Sequence, residues 1–94
     1  MTVNVKFIGS FRGISRKDEL RIRLKEPCPI REVVKMIIRQ LPELERALID
    51  PECGTMKSNT LVLVNGKEIG VMNRLETVIE DGDEVVLVPV VHGG

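Results

Sequence analysis

Between residues 30 and 41 the hydrophobic spacing of this chain changes period, and that one interruption limits the folds open to it. Ile30, Val33, Val34, Ile37, Ile38 and Leu41 recur at i, i+3, i+4, i+7, i+8 and i+11, a single apolar stripe along an amphipathic helix. Pro29 suits the first helical position and Pro42 marks the stop. On both sides of this segment the spacing is two. Val3, Val5 and Phe7 oppose Asn4, Lys6 and Ile8, and Leu20, Ile22 and Leu24 oppose Arg21, Arg23 and Lys25. These runs predict two strands of an antiparallel hairpin, with "GSFRGISRKD" as the turn region between them. After the helix, "ELERALI" adds a short second helix and "DPECGTMKSN" is a loop. "TLVLV", the turn pair Asn65-Gly66 and "KEIGV" form a second hairpin, since both turn positions tolerate positive φ. "NRLETVIEDGDE" is a turn-rich crossover into a last strand, "EVVLVPVV". Pro89 lacks a backbone donor, so pairing on one side of that strand ends near it. The expected order is ββαββ: an α+β fold, one long helix on one face of a mixed four- to five-stranded sheet.

Ninety-four residues make one domain. With 43% hydrophobic and 30% charged side chains, the chain is globular rather than disordered. A formal net charge of zero gives no electrostatic case for nucleic acid or membrane as a partner. The charge is unevenly spread. Residues 1–40 hold ten basic and four acidic side chains, net +6, and residues 41–94 hold four and ten, net −6. That spread fits either a mixed solvated surface or two opposed patches that orient the protein on a partner. Cys28 and Cys53 form no CxxC pair, and one histidine does not complete a zinc site with them. No apolar run reaches membrane-spanning length and "MTVNVKF" lacks the design of a signal peptide, so a reduced, cytoplasmic protein is expected. "GSFRG" lacks the Lys-Ser/Thr ending of a phosphate-cradling loop, so no bound cofactor and no direct ATP site are expected. Asp81, Gly82 and Asp83 read as turn chemistry, not as a catalytic pair.

A single long helix covers one face of a sheet, and the other face should then be polar. Here "LVLV" (Leu61 to Val64) and "VVLV" (Val85 to Val88) are apolar on both faces. Parity places Ile8, Leu61, Leu63, Val86 and Val88 on the uncovered side. Either the 50–59 loop folds over them or they are a docking surface. The loop is polar, with Met56 its only large apolar residue, which favours docking.

The chain closes on "VLVPVVHGG". Two terminal glycines pack nothing and cost backbone entropy to order, so they are either a frayed end or the carrier of a working carboxylate. The run L-x-T-x-I-x-DGDEV-x-L-x-P-x-x-x-GG, from Leu75 to Gly94, decides between these. With "TLVLVNGKEI" before it, the run resembles the ubiquitin-like sulfur-carrier family of the MoaD/ThiS type. That family holds the small subunit of molybdopterin synthase, the thiamine sulfur carrier, the ubiquitin-related modifier and the small archaeal modifiers. The resemblance covers nearly the whole chain; only the 50–59 loop exceeds the family minimum.

The resemblance implies a β-grasp fold over residues 1–91, its first and last strands parallel at the centre, and a flexible reactive tail at 92–94. It also implies that the molecule is not an enzyme but a carrier. Its partners would be a ubiquitin-activating-like adenylating enzyme, which uses ATP, and a sulfur-accepting enzyme such as a molybdopterin synthase large subunit. The Gly94 carboxylate, ionised at neutral pH as a free α-carboxyl, would be adenylated and then converted to a thiocarboxylate for molybdopterin biosynthesis or tRNA thiolation. The same activated Gly94 could, instead or as well, end as an isopeptide on target-protein lysines, and a third alternative is a non-reactive interaction subunit. Gly93 and Gly94 let the tail thread a narrow channel, where a Cβ would crowd it. His92 reads as a tail contact, since the chemistry belongs to the partner, and the ending "HGG" resembles that of the ubiquitin-related modifiers. Cys28, just before the helix, is either a thiol activated by amide dipoles or an incidental small residue; Cys53 is a loop residue.

Overall fold

The computed structural model describes residues 1–69 and 75–90. Its elements are β1 (Thr2–Phe7), α1 (Ser10–Ser15), β2 (Glu19–Arg23), β3 (Cys28–Pro29), α2 (Ile30–Gln40), a 3₁₀ turn (Pro42–Leu44), α3 (Glu45–Leu48), β4 (Thr60–Val64), β5 (Lys67–Glu68), β6 (Val78–Ile79) and β7 (Glu84–Pro89). A five-stranded sheet runs in the order β2-β1-β7-β4-β5, and β3 and β6 form a separate two-stranded sheet. β1 and β7 are parallel at the centre, with Val5 beside Val85 and Phe7 beside Leu87. The other pairs are antiparallel.

Both periods resolve as expected. Val3, Val5, Phe7, Ile22, Val62, Val85 and Leu87 bury on one face of the sheet, and Ile30, Val33, Val34 and Ile37 of the helix that covers it, with Leu41 at its C-cap, bury against them. Spacing by two and spacing by 3.6 each set a single apolar face, and the core lies where the two meet. Asn65 (φ 51°) and Gly66 (φ 84°) make the β4–β5 turn in the left-handed conformation that a two-residue hairpin demands.

Three local readings change. The "GSFRGISRKD" turn contains α1, because Phe11 and Ser15 are drawn into the interior and hold a helical turn despite Gly13. The Ser15 hydroxyl then accepts from the Lys17 N–H at 3.2 Å and closes its end. The "NRLETVIEDGDE" crossover contains β6, whose Val78 and Ile79 pair with Pro29 and Cys28. Pro29 stands at the N-cap of α2 rather than at its first residue, with no side-chain cap. The first amides of α2 are met instead by that crossover: Ile30 N–H donates to the Thr77 carbonyl (2.9 Å) and Arg31 N–H to that of Leu75 (3.1 Å). Backbone from a distant segment satisfies the donors that Ser or Thr usually caps. Arg31 also donates to Glu76 at 2.7 Å on the surface.

Candidate functional site

The candidate site is the end of β7 and the sheet face beside it. β7 is flanked by β1 and β4, but its two ladders stop at different places. With β1 the last pair is Phe7–Leu87, after which Ile8 N–H donates to the Leu87 carbonyl at 3.1 Å. With β4 the pairing continues to Thr60–Pro89, and Val90 N–H donates to the Asn59 carbonyl at 2.7 Å. The missing donor of Pro89 falls on the β1 side, as its position in the strand predicts. There the chain of β1 has turned away at Gly9 (φ 59°), where a Cβ would lie 3.1 Å from Pro89 Cγ. Glycine serves both the left-handed turn and the close approach of the proline ring.

β7 is held at its other end by the "DGDE" run. Asp83 accepts from the Asn65 side-chain amide (2.9 Å) and from the Glu80 N–H (2.8 Å). Asn65 Oδ1 accepts from the Glu84 N–H (2.9 Å), and Asp81 accepts from the Thr2 N–H (2.7 Å). These acids therefore clasp the starts of β1 and β7 to the β4–β5 turn. Turn chemistry was legible in the sequence; the long-range partners were not.

On the face opposite α2, Leu61 stands across from Val88 and Leu63 across from Val86. All four are half-buried, and Ile8 on the same side is 43% exposed. The 50–59 loop does not cover them. It packs on the helix side, where Met56 is 6% exposed and, with Gly54 and Thr55, walls a groove of about 500 Å³ against Val34, Lys35 and Ile38 of α2. The apolar strip is bordered by the Lys6–Glu84 ion pair at 3.1 Å. Val78, 56% exposed, is a surface hydrophobe the sequence placed inside a turn-rich segment.

His92, Gly93 and Gly94 lie outside the described residues, as does the boundary set between residues 91 and 92. The cysteines are free thiols: Cys28 half-buried in β3 and Cys53 exposed. Burial, with Glu32 and Glu26 nearby, pushes the Cys28 thiol above its usual range. This disfavours the thiolate, so the incidental small residue is the reading the site supports. Among the described residues no cluster of three or more His, Cys, Asp or Glu could hold a metal ion, and no helix is long and apolar enough to cross a membrane.

Comparison with known proteins gives a consistent result. Residues 2–94 match the model of the family Urm1 (Ubiquitin related modifier). The chain is 28% identical to small archaeal modifier protein 3 of Haloferax volcanii, over the full length of both. The crystal structure of SAMP1 from Haloferax volcanii superposes with a TM-score of 0.88 at 20% identity, covering 100% of each chain. The solution structure of Urm1 from Trypanosoma brucei superposes with a TM-score of 0.78 at 25% identity, over 99% of this chain and 95% of that one. The architecture is the β-grasp, ubiquitin-like fold.

Proposed function

The chain belongs to the ubiquitin-related modifier family, and from that premise we propose that it is an acyl carrier whose working group is the carboxylate of Gly94. The observation that carries this reading is the end of β7. This central strand is held by β1 as far as Leu87 and by β4 as far as Pro89, with Val90 N–H still bound to Asn59, and the sequence runs on through Val91-His92-Gly93-Gly94. A rigid anchor ahead of a side-chain-poor end suits presentation of a carboxylate to a partner's narrow site.

The chemistry proceeds in two steps. An adenylating partner brings ATP; the Gly94 carboxylate attacks the α-phosphate, pyrophosphate leaves, and an acyl-adenylate forms. In the second step the outer sulfur of a partner persulfide attacks the acyl carbon and AMP leaves; a partner thiol then cleaves the resulting acyl disulfide, so that the thiocarboxylate is released and the two partner sulfurs end joined as a disulfide. Adenylation supplies a leaving group that a bare carboxylate lacks. The thiocarboxylate gives sulfur to an acceptor enzyme of the molybdopterin or tRNA-thiolation type. Isopeptide transfer of the same activated acyl group to a lysine is the second outcome, and the name of the family as modifiers favours keeping it beside the first. The protein acts as co-substrate, and the ATP is held by the partner. The strip of Ile8, Leu61, Leu63, Val86 and Val88 docks that partner, since it lies beside the strand that leads to the tail and nothing described covers it.

The test is the Gly94→Ala variant with the adenylating enzyme of the same host. ATP–pyrophosphate exchange should fall by at least about tenfold, on the order of 1.4 kcal/mol in the transition state, while the melting curve is unchanged. Undiminished exchange overturns the proposal. Intact mass of the protein from its host separates the outcomes: oxygen-to-sulfur exchange marks the carrier, and Gly-Gly remnants on lysines of other proteins mark the modifier.

A further inference from the structure

The five-stranded sheet has two edges, and they are guarded differently. β5 is two residues long, Lys67–Glu68, and brevity alone closes that edge. β2 is five residues, Glu19–Arg23, and pairs only with β1. Its hydrogen-bond phase is set at both ends: Phe7 N–H donates to the Asp18 carbonyl (2.9 Å) and Leu24 N–H donates to that of Met1 (2.8 Å). Alternation along an antiparallel pair then turns the backbone groups of Leu20 and Ile22 toward β1 and those of Glu19, Arg21 and Arg23 outward. Among the described residues no other strand takes them up.

The side chains on that edge have one dominant sign. Residues 19–25 carry Arg21, Arg23 and Lys25 against Glu19, a net +2, and all four are exposed. Two of the nearby acids are already engaged, Glu19 accepting from the Asn4 side-chain amide at 3.0 Å and Asp18 pairing with Arg12 at 2.8 Å, while Glu26 lies exposed beyond the end of the strand. Among the described residues Arg21, Arg23 and Lys25 have no ion-pair partner. Beneath them Leu20 is half-buried on the helix side.

We propose that the outer edge of β2 receives an extended acidic segment of a partner protein, which adds to the sheet as a further strand. Backbone groups of Glu19, Arg21 and Arg23 provide the ladder, and cross-strand charge provides the choice of partner. The matching segment alternates acidic residues, set against Arg21 and Arg23 on the open face, with apolar ones set beside Leu20 on the helix face. A second copy of this chain brings the same net positive charge to the same line, which disfavours self-pairing. β1 separates this edge from β7, and the proposal does not depend on acyl chemistry at Gly94.

The experiment titrates the isotope-labelled full chain with the capped peptide acetyl-Ile-Asp-Val-Glu-Ile-Asp-amide and, as control, its lysine counterpart acetyl-Ile-Lys-Val-Lys-Ile-Lys-amide. The acidic peptide should shift the amides of residues 18–24 and slow hydrogen exchange at Glu19, Arg21 and Arg23, and the lysine peptide should not. Arg21→Pro removes an outward donor without touching the β1 ladder, so it should abolish binding while β1 and β7 amide shifts stay in place. If that variant misfolds, the pair Arg21→Glu and Arg23→Glu keeps the backbone and should weaken binding about tenfold by reversing two cross-strand pairs. Val88→Asp should leave this binding unchanged, which separates the result from any failure of the docking strip. The proposal is overturned by equal binding of both peptides, by shifts centred on the α2 groove or on the Leu61–Val88 strip of β4 and β7, by no shift at millimolar peptide, or by self-association through β2 without peptide.

Discussion

Leu87 and Val88 are adjacent in β7 and alike in chemistry, yet their surroundings differ completely. Leu87 is 0% exposed on the face covered by α2; Val88 is half-buried on the face with no helix, opposite Leu61. The same contrast separates Val62, at 0% exposed, from Leu63 next to it. Full burial of one such side chain stabilises the fold by roughly 1.5–3 kcal/mol, whereas a half-covered one retains part of that free energy for a partner. One face holds the molecule together; the other is left half-covered among the described residues. The lesson is that apolar character in these strands does not by itself mark core.

The largest effect should come from the covered face. Leu87→Ala should lower unfolding free energy by roughly 2–5 kcal/mol, since it opens a cavity at the centre of the sheet, and urea denaturation reads this directly. A domain of this size has about 5–15 kcal/mol in total, so the midpoint should drop visibly. A loss below about 1 kcal/mol would mean the centre of the sheet is not the close-packed core.

Val88→Asp should cost about 1 kcal/mol or less in the same assay, the span of strand preference at an exposed position. It should nonetheless raise the KM for the carrier in the adenylation reaction by about tenfold, through a charge desolvated at the interface. Equal stability losses for Leu87→Ala and Val88→Asp would erase the distinction between the faces. An unchanged KM would remove the docking role from the strip.

The smallest effect sharpens the boundary of the covered side. Thr60 is 0% exposed, and among the described residues its hydroxyl has no hydrogen-bond partner. Thr60→Val keeps the branched shape and removes the unsatisfied group, so it should raise stability by about 1 kcal/mol. Destabilisation would show that the hydroxyl has a partner in solution.

Much of this arrangement was legible in the sequence. The stripe from Ile30 to Leu41 and the alternation of Val3, Val5 and Phe7 each define one buried face, because side-chain direction follows from backbone geometry alone. Asn65-Gly66 declared its turn, since the turn restricts which residues can occupy it. Segments with short-range cues too weak to decide were less legible. The six residues of α1 include Gly13 and are too few to show a period, and the burial of Phe11 and Ser15 is what holds them helical. β6 is two residues that exist as strand because Cys28 and Pro29 lie opposite.

Local rules of period, turn chemistry and proline geometry were enough to set the element types, the inward faces and the end of the β1 ladder near Pro89. The parallel pairing of β1 with β7 was implied by the family resemblance and not by any local rule, and the contacts between distant segments were decided by the folded molecule: the capping of α2 by Leu75 and Thr77, the clasp of Asp81 and Asp83, and the packing of Met56 against α2. The division has a physical cause. Torsional and periodic preferences act over a few residues and leave a pattern in the chain. Contacts between remote segments depend on which surfaces remain uncovered after the elements form, and no stretch of sequence records that alone.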